Sequence, residues 1–275
     1  MDWGRKVNTE KIGGKPYLEA FIRLFRSLVL VRELHKELPK SIKKIVNDRE
    51  KAIKEKEKRL SEESKKQLAE ILKRPRPLME GNEKIDEEKS QRYEEDTLEF
   101  LLEFLKTAEF SLGSIDFIRE MSLVYLIAEF EGFLRNVLEI TFQKRPEILS
   151  SSKKSIPYEE LVKFKRIDDA LQQIIEKEAS SIVNESIEKI DKYFENKFKA
   201  KLSENTDWQG FKERFHRRNI LVHNAGMTNS TYRLRTGFKG KDKRMYVSKK
   251  YLEKSIRLFE DLGYWVSEYF ESKFK

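Results

Sequence analysis

The sequence predicts an all-α protein: a helical bundle with an N-terminal helical arm and a small irregular or β-hairpin insertion near the C-terminal end. Three observations predict it. Apolar residues recur at three- and four-residue spacing through most of the chain. Charged residues make up 38% of the chain, well above the roughly 25% of an average globular domain, and long helices with solvated faces explain that excess best. Between the last two helices, Met227–Val247 shows little helical periodicity.

Taken in order, residues 1–15 read as a loose tail with Gly13-Gly14. A first helix is expected from about Pro16 to Leu38. Pro16 suits a first turn, and Leu18, Phe21, Leu24, Phe25, Leu28 and Val31 form its apolar stripe. Pro39 is expected to end it. From Lys40 to about Leu72 the pattern stays helical but very polar. Between Arg49 and Gln67 only Ala52, Ile53 and Leu60 are apolar, as in an exposed helix laced by Lys/Glu pairs. Arg74-Pro75-Arg76-Pro77 breaks the pattern, and the polar run from Glu80 to Gln91 reads as a linker. Residues 1–90 are thus expected to be an arm with its linker, and 91–275 the main helical domain.

That domain opens with a helix from about Arg92 to Leu112. A more apolar one follows from about Ser114 to Gln143, bearing Phe117, Met121, Val124, Tyr125, Ile127, Phe130, Phe133, Leu134, Val137 and Leu138. Pro146 and Ser150–Ser155 mark a loop. Shorter helices are expected near 158–164, 168–177 and 181–200. Another runs from about Thr206 to His223 and stops at Gly226, which suits a left-handed cap. Ser248 then caps a last helix reaching about Phe274, with Tyr251, Leu252, Ile256, Phe259, Leu262, Trp265, Val266 and Phe270 along it.

Composition excludes several chemistries. There is no cysteine, hence no disulfide, thiol nucleophile or thiolate metal site. No metal-ligand or phosphate-loop pattern occurs, so neither metal nor cofactor is expected. Apolar runs such as Leu123–Ala128 fall well short of the ~18 residues of a membrane span, and no signal core follows the N-terminus. A cytoplasmic protein without a membrane partner is expected.

The net charge of +9 is concentrated. Lys212–Lys250 holds twelve Lys/Arg and two Asp/Glu, a balance of +10, while the rest carries 45 basic and 46 acidic residues, a balance of −1. A basic segment of this kind attracts polyanions. Arg214, Arg217, Arg233, Arg235, Lys239, Lys243 and Arg244 are its candidate RNA contacts. The competing reading is a solvated charge run.

The same segment holds Arg217-Arg218-Asn219-Ile220-Leu221-Val222-His223-Asn224-Ala225-Gly226 and two of the three histidines, His216 and His223. Arginine holds phosphate with a fixed fork of donors, and histidine moves protons near neutral pH. The pair therefore suits phosphodiester chemistry without a metal. Helical spacing places Trp208, Phe211, Phe215, Asn219 and Val222 on one stripe, so Asn219 is expected to be a buried amide with a specific partner. Arg218 and His223 project roughly 140° apart. That suits a cleft shared between two copies about a two-fold axis, although a bent helix end would also bring the two together. Plainer roles stand beside these: His223 as a C-terminal helix cap, Arg218 as a salt bridge across the bundle, His216 as a surface residue and His35 as a structural one.

On these residues the chain resembles the HEPN family of helical domains, found in toxins, abortive-infection proteins and CRISPR-associated RNases. The signature, Arg, a polar residue and then His after a few more, reads Arg218-Asn219-Ile220-Leu221-Val222-His223. The helix Leu126–Arg135 is similar to an earlier family helix that often bears a glutamate. The resemblance covers about Arg92 to Lys275. It implies a metal-independent endoribonuclease acting as a homodimer in a toxin or antiviral defence role. By the same resemblance Arg218 would hold the scissile phosphate and His223 would be general acid or base during 2′-hydroxyl attack. Asn219 would orient His223 or bond to RNA, and Glu131 would pair with Arg218. Ala225 stands where a tyrosine sits in family members silenced by AMP addition, so that control is not expected here. Two other readings remain: a non-catalytic RNA-binding module of the same fold, and an interaction scaffold whose N-terminal arm recruits a protein partner.

Overall fold

Helical spacing becomes helix almost throughout. The computed structural model of the chain describes residues 14–73, 95–151, 159, 164 and 166–274. Its α-helices are α1 (Pro16–Arg59), α2 (Glu62–Lys73), α3 (Glu95–Lys144), α4 (Ile167–Val183), α5 (Ile187–Phe198), α6 (Trp208–His223), α7 (Ser230–Thr236) and α8 (Lys249–Lys273). Two 3₁₀ turns, Pro146–Ser151 and Leu202–Glu204, join them. The chain divides into two units, Met1–Leu34 with Arg119–Lys275, and His35–Ile118.

The larger unit is built around phenylalanine. Phe130 of α3, Phe211 of α6 and Phe259 of α8 meet pairwise at ring-centroid distances of 5.3–5.4 Å. A second group joins Phe194 and Phe198 of α5 to Phe270 of α8. All six rings are fully buried. Each such ring removes a large apolar area from water and adds edge-to-face attraction. The α8 stripe is as the spacing predicts: Leu252, Ile256, Phe259, Leu262, Val266 and Phe270 are buried.

The start of α1 belongs to this core and is not an arm. Tyr17, Leu24 and Leu28 are buried, Phe21 packs on Phe133 and Tyr264, and Arg32 pairs with Glu260 at 2.8 Å. The approach of α1 to α8 is close at Gly263, where a Cβ would stand 2.9 Å from Leu24 Cδ2. The apolar stripe of α1 supplies this face: Phe21, Leu24, Leu28 and Val31 are buried.

Two expected breaks are absent. Helix α1 runs through Pro39 and α3 through Gly113. An interior proline costs roughly 3 kcal/mol, but buried Leu28 and Val31 before it and Ile42 and Val46 after it anchor both halves. An interior glycine costs only about 1 kcal/mol. Conversely, the helix expected over 40–72 is two, parted at Leu60-Ser61, where Ser61 Oγ accepts from Ser64 N at 2.9 Å. The expected pair at 168–177 and 181–200 becomes α4 and α5, parted at Asn184–Ser186. The expected Arg74–Pro77 break, the Glu80–Gln91 linker and most of the 158–164 helix lie outside the described residues.

The smaller unit has a thin core of Ile53, Leu68 and Phe100, with Leu60 and Leu101 packed against it. Lys56 bonds Glu99 at 3.2 Å and Glu103 at 2.5 Å, and Arg49 lies over the Phe110 ring.

Candidate functional site

Local signals fix both ends of α6. Asp207 caps its start by accepting from Gly210 N at 3.0 Å. At its end, Asn224 N and Gly226 N both donate to Ile220 O, at 2.9 and 2.8 Å, with Ala225 and Gly226 at φ 47° and 79°. This is the left-handed stop that glycine permits. The chain beyond is tied back, not by a hairpin but by one antiparallel bridge, Met227 with Arg244. Met245 N bonds Gly226 O at 2.9 Å and Thr228 N bonds Lys243 O at 3.1 Å. The short helix α7 replaces the expected β-hairpin, its start capped by Asn229 Oδ1 accepting from Tyr232 N at 2.8 Å. His223 thus occupies the last turn of a helix held from behind.

One side of α6 faces inward. Phe211, Phe215 and Ile220 are buried, and so are Arg214 and Arg217, at 3% and 7% exposure. Arg214 Nε donates to Ser255 Oγ at 2.9 Å. Arg217 donates to Glu213 Oε1 at 2.8 Å and to Tyr246 O at 3.0 Å. Glu213 also accepts from the hydroxyls of Tyr232 and Tyr251, both at 2.6 Å. Both guanidiniums stack over the Tyr251 ring. Burial first, then the neighbouring Glu213 carboxylate, pushes the Tyr251 hydroxyl far above its ordinary pKa. Arg214 and Arg217, expected on RNA, are therefore structural: their donors are spent inside the protein.

These arginines also explain the misplaced stripe. Because they take up the inward face beside Phe211 and Phe215, Asn219 turns out exposed and Val222 is 52% exposed. Asn219 is not the buried amide that the spacing suggested.

Arg218 reaches the neighbouring helix. Its Nη2 lies 2.5 Å from Glu131 Oε1 of α3, with both side chains about one-quarter exposed. Burial raises the Glu131 pKa, and Arg218 and Arg135 offset this only in part.

On another side, His216, Asn219, Ile220, His223 and Asn224 of α6 and its cap join Asn229, Thr231 and Tyr232 around α7. They line an open cleft of about 340 Å³. Asn219 and His223 therefore share a cleft, while Arg218 is turned to Glu131. His216 is the residue that sequence reading missed. Expected on the surface, its side chain is 14% exposed, with Nε2 3.5 Å from Glu188 Oε1 of α5. Neither His216 Nε2 nor Glu188 Oε2, both buried, has a hydrogen-bond partner. Burial lowers the His216 pKa; Glu188 opposes this, and Arg235 and Lys212 add to it. The seven-residue spacing of His216 and His223, two helical turns on one face, was the available signal.

The remaining basic candidates divide. Arg233 is paired with Asp242, Arg244 with Glu120 at 3.1 Å, and Lys243 lies over the Phe238 ring. Arg235 and Lys239 are exposed. Among the described residues, no group of three or more acidic or histidine side chains could hold a metal ion, and no helix is long and apolar enough to cross a membrane. The chain matches no protein-family model, no curated protein and no solved structure.

Proposed function

We propose that this chain is a metal-independent endoribonuclease of the HEPN type, acting as a homodimer in toxin or antiviral defence. The observation that carries this reading is the end of α6. It sets His223 and Asn219 in an open cleft and presents Arg218, partly exposed, beside Glu131. Such an arrangement suits a two-fold pair in which Arg218 of one copy serves the cleft of the other. Arg218 grips the scissile phosphate while the ribose 2′-oxygen attacks phosphorus. His223 handles one of the two protons, taken from the 2′-hydroxyl or given to the departing 5′-oxygen. Asn219 orients His223 or bonds to RNA, and Glu131 fixes Arg218. Exposed Arg235 and Lys239 draw in the strand. Single-stranded or looped RNA is the substrate class, because its ribose can reach in-line geometry.

The test is cleavage of labelled mixed-sequence RNA in EDTA. The wild type should leave 2′,3′-cyclic phosphate and 5′-hydroxyl ends. His223→Ala and Arg218→Ala should each lower the rate by about 10²-fold or more. A strict requirement for Mg²⁺ would overturn the mechanism. A non-catalytic RNA-binding module is the second reading, favoured by the exposed basic residues of α7 and the loop after it. It requires salt-dependent binding that survives His223→Ala, with no cutting by either form.

A further inference from the structure

The ribonuclease reading leaves one proton transfer without a named group in the same protomer. The geometry points to His216: it is the second proton-transferring residue of the cleft that holds His223, with Glu188 as its positioning residue. This rests on the ribonuclease reading and deepens it.

Three features of the structure carry the inference. His216 and His223 line one cleft. Seven residues apart on a single helix, they lie on one face about 10 Å apart along the axis, a span that leaves room for a phosphodiester between two imidazoles. Second, the cleft of about 340 Å³ falls at the small end of ligand pockets, about 300–1,000 Å³, and its mixed wall sets hydrogen-bonding side chains beside the apolar Ile220. Third, His216 and Glu188 form a half-buried contact, their side chains 14% and 28% exposed, with unspent capacity. Their facing atoms are 3.5 Å apart, and His216 Nε2 and Glu188 Oε2 have no hydrogen-bond partner. Buried polar atoms are nearly always bonded in folded proteins, and those left over concentrate where function needs them. A carboxylate behind a histidine is also the usual way a general base is oriented.

The step balances within one protomer. Neutral His216, with Nε2 turned to Glu188, takes the 2′-hydroxyl proton through its other ring nitrogen. The 2′-oxygen bonds to phosphorus, the bond from phosphorus to the 5′-oxygen breaks, and protonated His223 gives its proton to that oxygen. Exchange with water resets both rings. The charged and titratable groups facing His216 are Glu188 from α5, Lys212 and His223 on its own helix, and Arg235 and Tyr232 of α7.

The test has two arms. In the first, uridine 3′-monophosphate is titrated into the full-length protein while the imidazole signals are followed by NMR. With three histidines in the chain, each signal is assignable by substitution. His216 and His223 should shift together with one saturation curve. In the second arm, the pH–rate profile of RNA cleavage is measured for the wild type, His216→Asn and Glu188→Gln. His216→Asn should cut the rate by about 10²–10⁴-fold and erase the limb that rises with pH, while its thermal midpoint stays near that of the wild type. Glu188→Gln removes the charge that favours protonated His216, so the rising limb should move to lower pH. A folded His216→Asn that keeps both rate and limb overturns the role of His216 and leaves the ribonuclease reading intact. A wild type that cuts nothing overturns both. If it still shows the joint NMR shift, the cleft is a nucleotide-binding site without proton transfer.

Discussion

Arg217 and Arg218 are neighbours in the chain, and their ion pairs have opposite characters. The Arg217–Glu213 pair is sealed: the two side chains are 9% and 19% exposed, two tyrosine hydroxyls complete the carboxylate, and Tyr246 O takes another guanidinium donor. The Arg218–Glu131 pair is half-open, and burial of Glu131 outweighs the attraction of its partner. One pair is completed by its surroundings; the other holds a carboxylate charge against its preference. One helix thus carries a sealed basic side and, one residue along in sequence, a half-open one.

The largest expected effect separates the two arginines. Arg217→Ala leaves Glu213 buried without its cation and should cost about 3–5 kcal/mol, read as a lower urea midpoint. Arg218→Ala leaves Glu131 partly solvated and should cost about 1 kcal/mol or less, while still abolishing RNA cleavage. Equal losses of stability would erase the distinction between the two sides.

What could be read from sequence follows the range of the forces involved. The caps at Asp207, Gly226 and Ser248 are local, involving a side chain and a backbone group within a few residues. Gly226 and Ser248 were legible as helix boundaries for that reason. The α8 stripe was legible because six apolar residues on one face have no other good place to go. Pro39 and Gly113 misled because their local penalties are outweighed by burial farther along the same helices. The α6 stripe misled for a related reason: Arg214 and Arg217 look like solvent residues until Ser255, Tyr232, Tyr246 and Tyr251, distant in sequence, are brought beside them. The Arg218 contact with Glu131 was legible through the family resemblance. The His216 contact with Glu188 was not, because no motif pairs the two and only the fold brings α5 beside α6.

A smaller effect probes the half-open pair through pH. The folded state raises the Glu131 pKa, so it favours the protonated carboxyl. The stability contributed by this group is therefore fully present below the ordinary glutamate pKa and is lost as pH rises through the raised value. Glu131→Gln removes that dependence. Its thermal midpoint should gain on the wild type as pH rises above the ordinary glutamate pKa, even as cleavage falls because Arg218 loses its anchor. A variant that instead loses ground with rising pH would show that the pair stabilises the fold after all, and that the two sides of α6 are alike.

The smallest effect on stability, and the sharpest test of the outward side, comes from Arg235 and Lys239. Both are exposed, whereas Arg233 and Arg244 are held by carboxylate partners. Single alanine substitutions at Arg235 or Lys239 should change unfolding free energy by no more than about 0.5 kcal/mol. Removing one cation that neutralises a phosphate should flatten the dependence of log binding on log salt by about 0.7 for single-stranded RNA. Arg214→Ala provides the contrast, because it should destabilise the fold and leave the salt slope of the surviving folded protein unchanged. The decisive measurement is the slope rather than the affinity at one salt concentration. Weakened binding alone could follow from partial unfolding, whereas a changed slope counts phosphates. If Arg235→Ala and Lys239→Ala leave the slope untouched, the exposed basic residues are solvated charge, and the strand must reach the His223 cleft by another route.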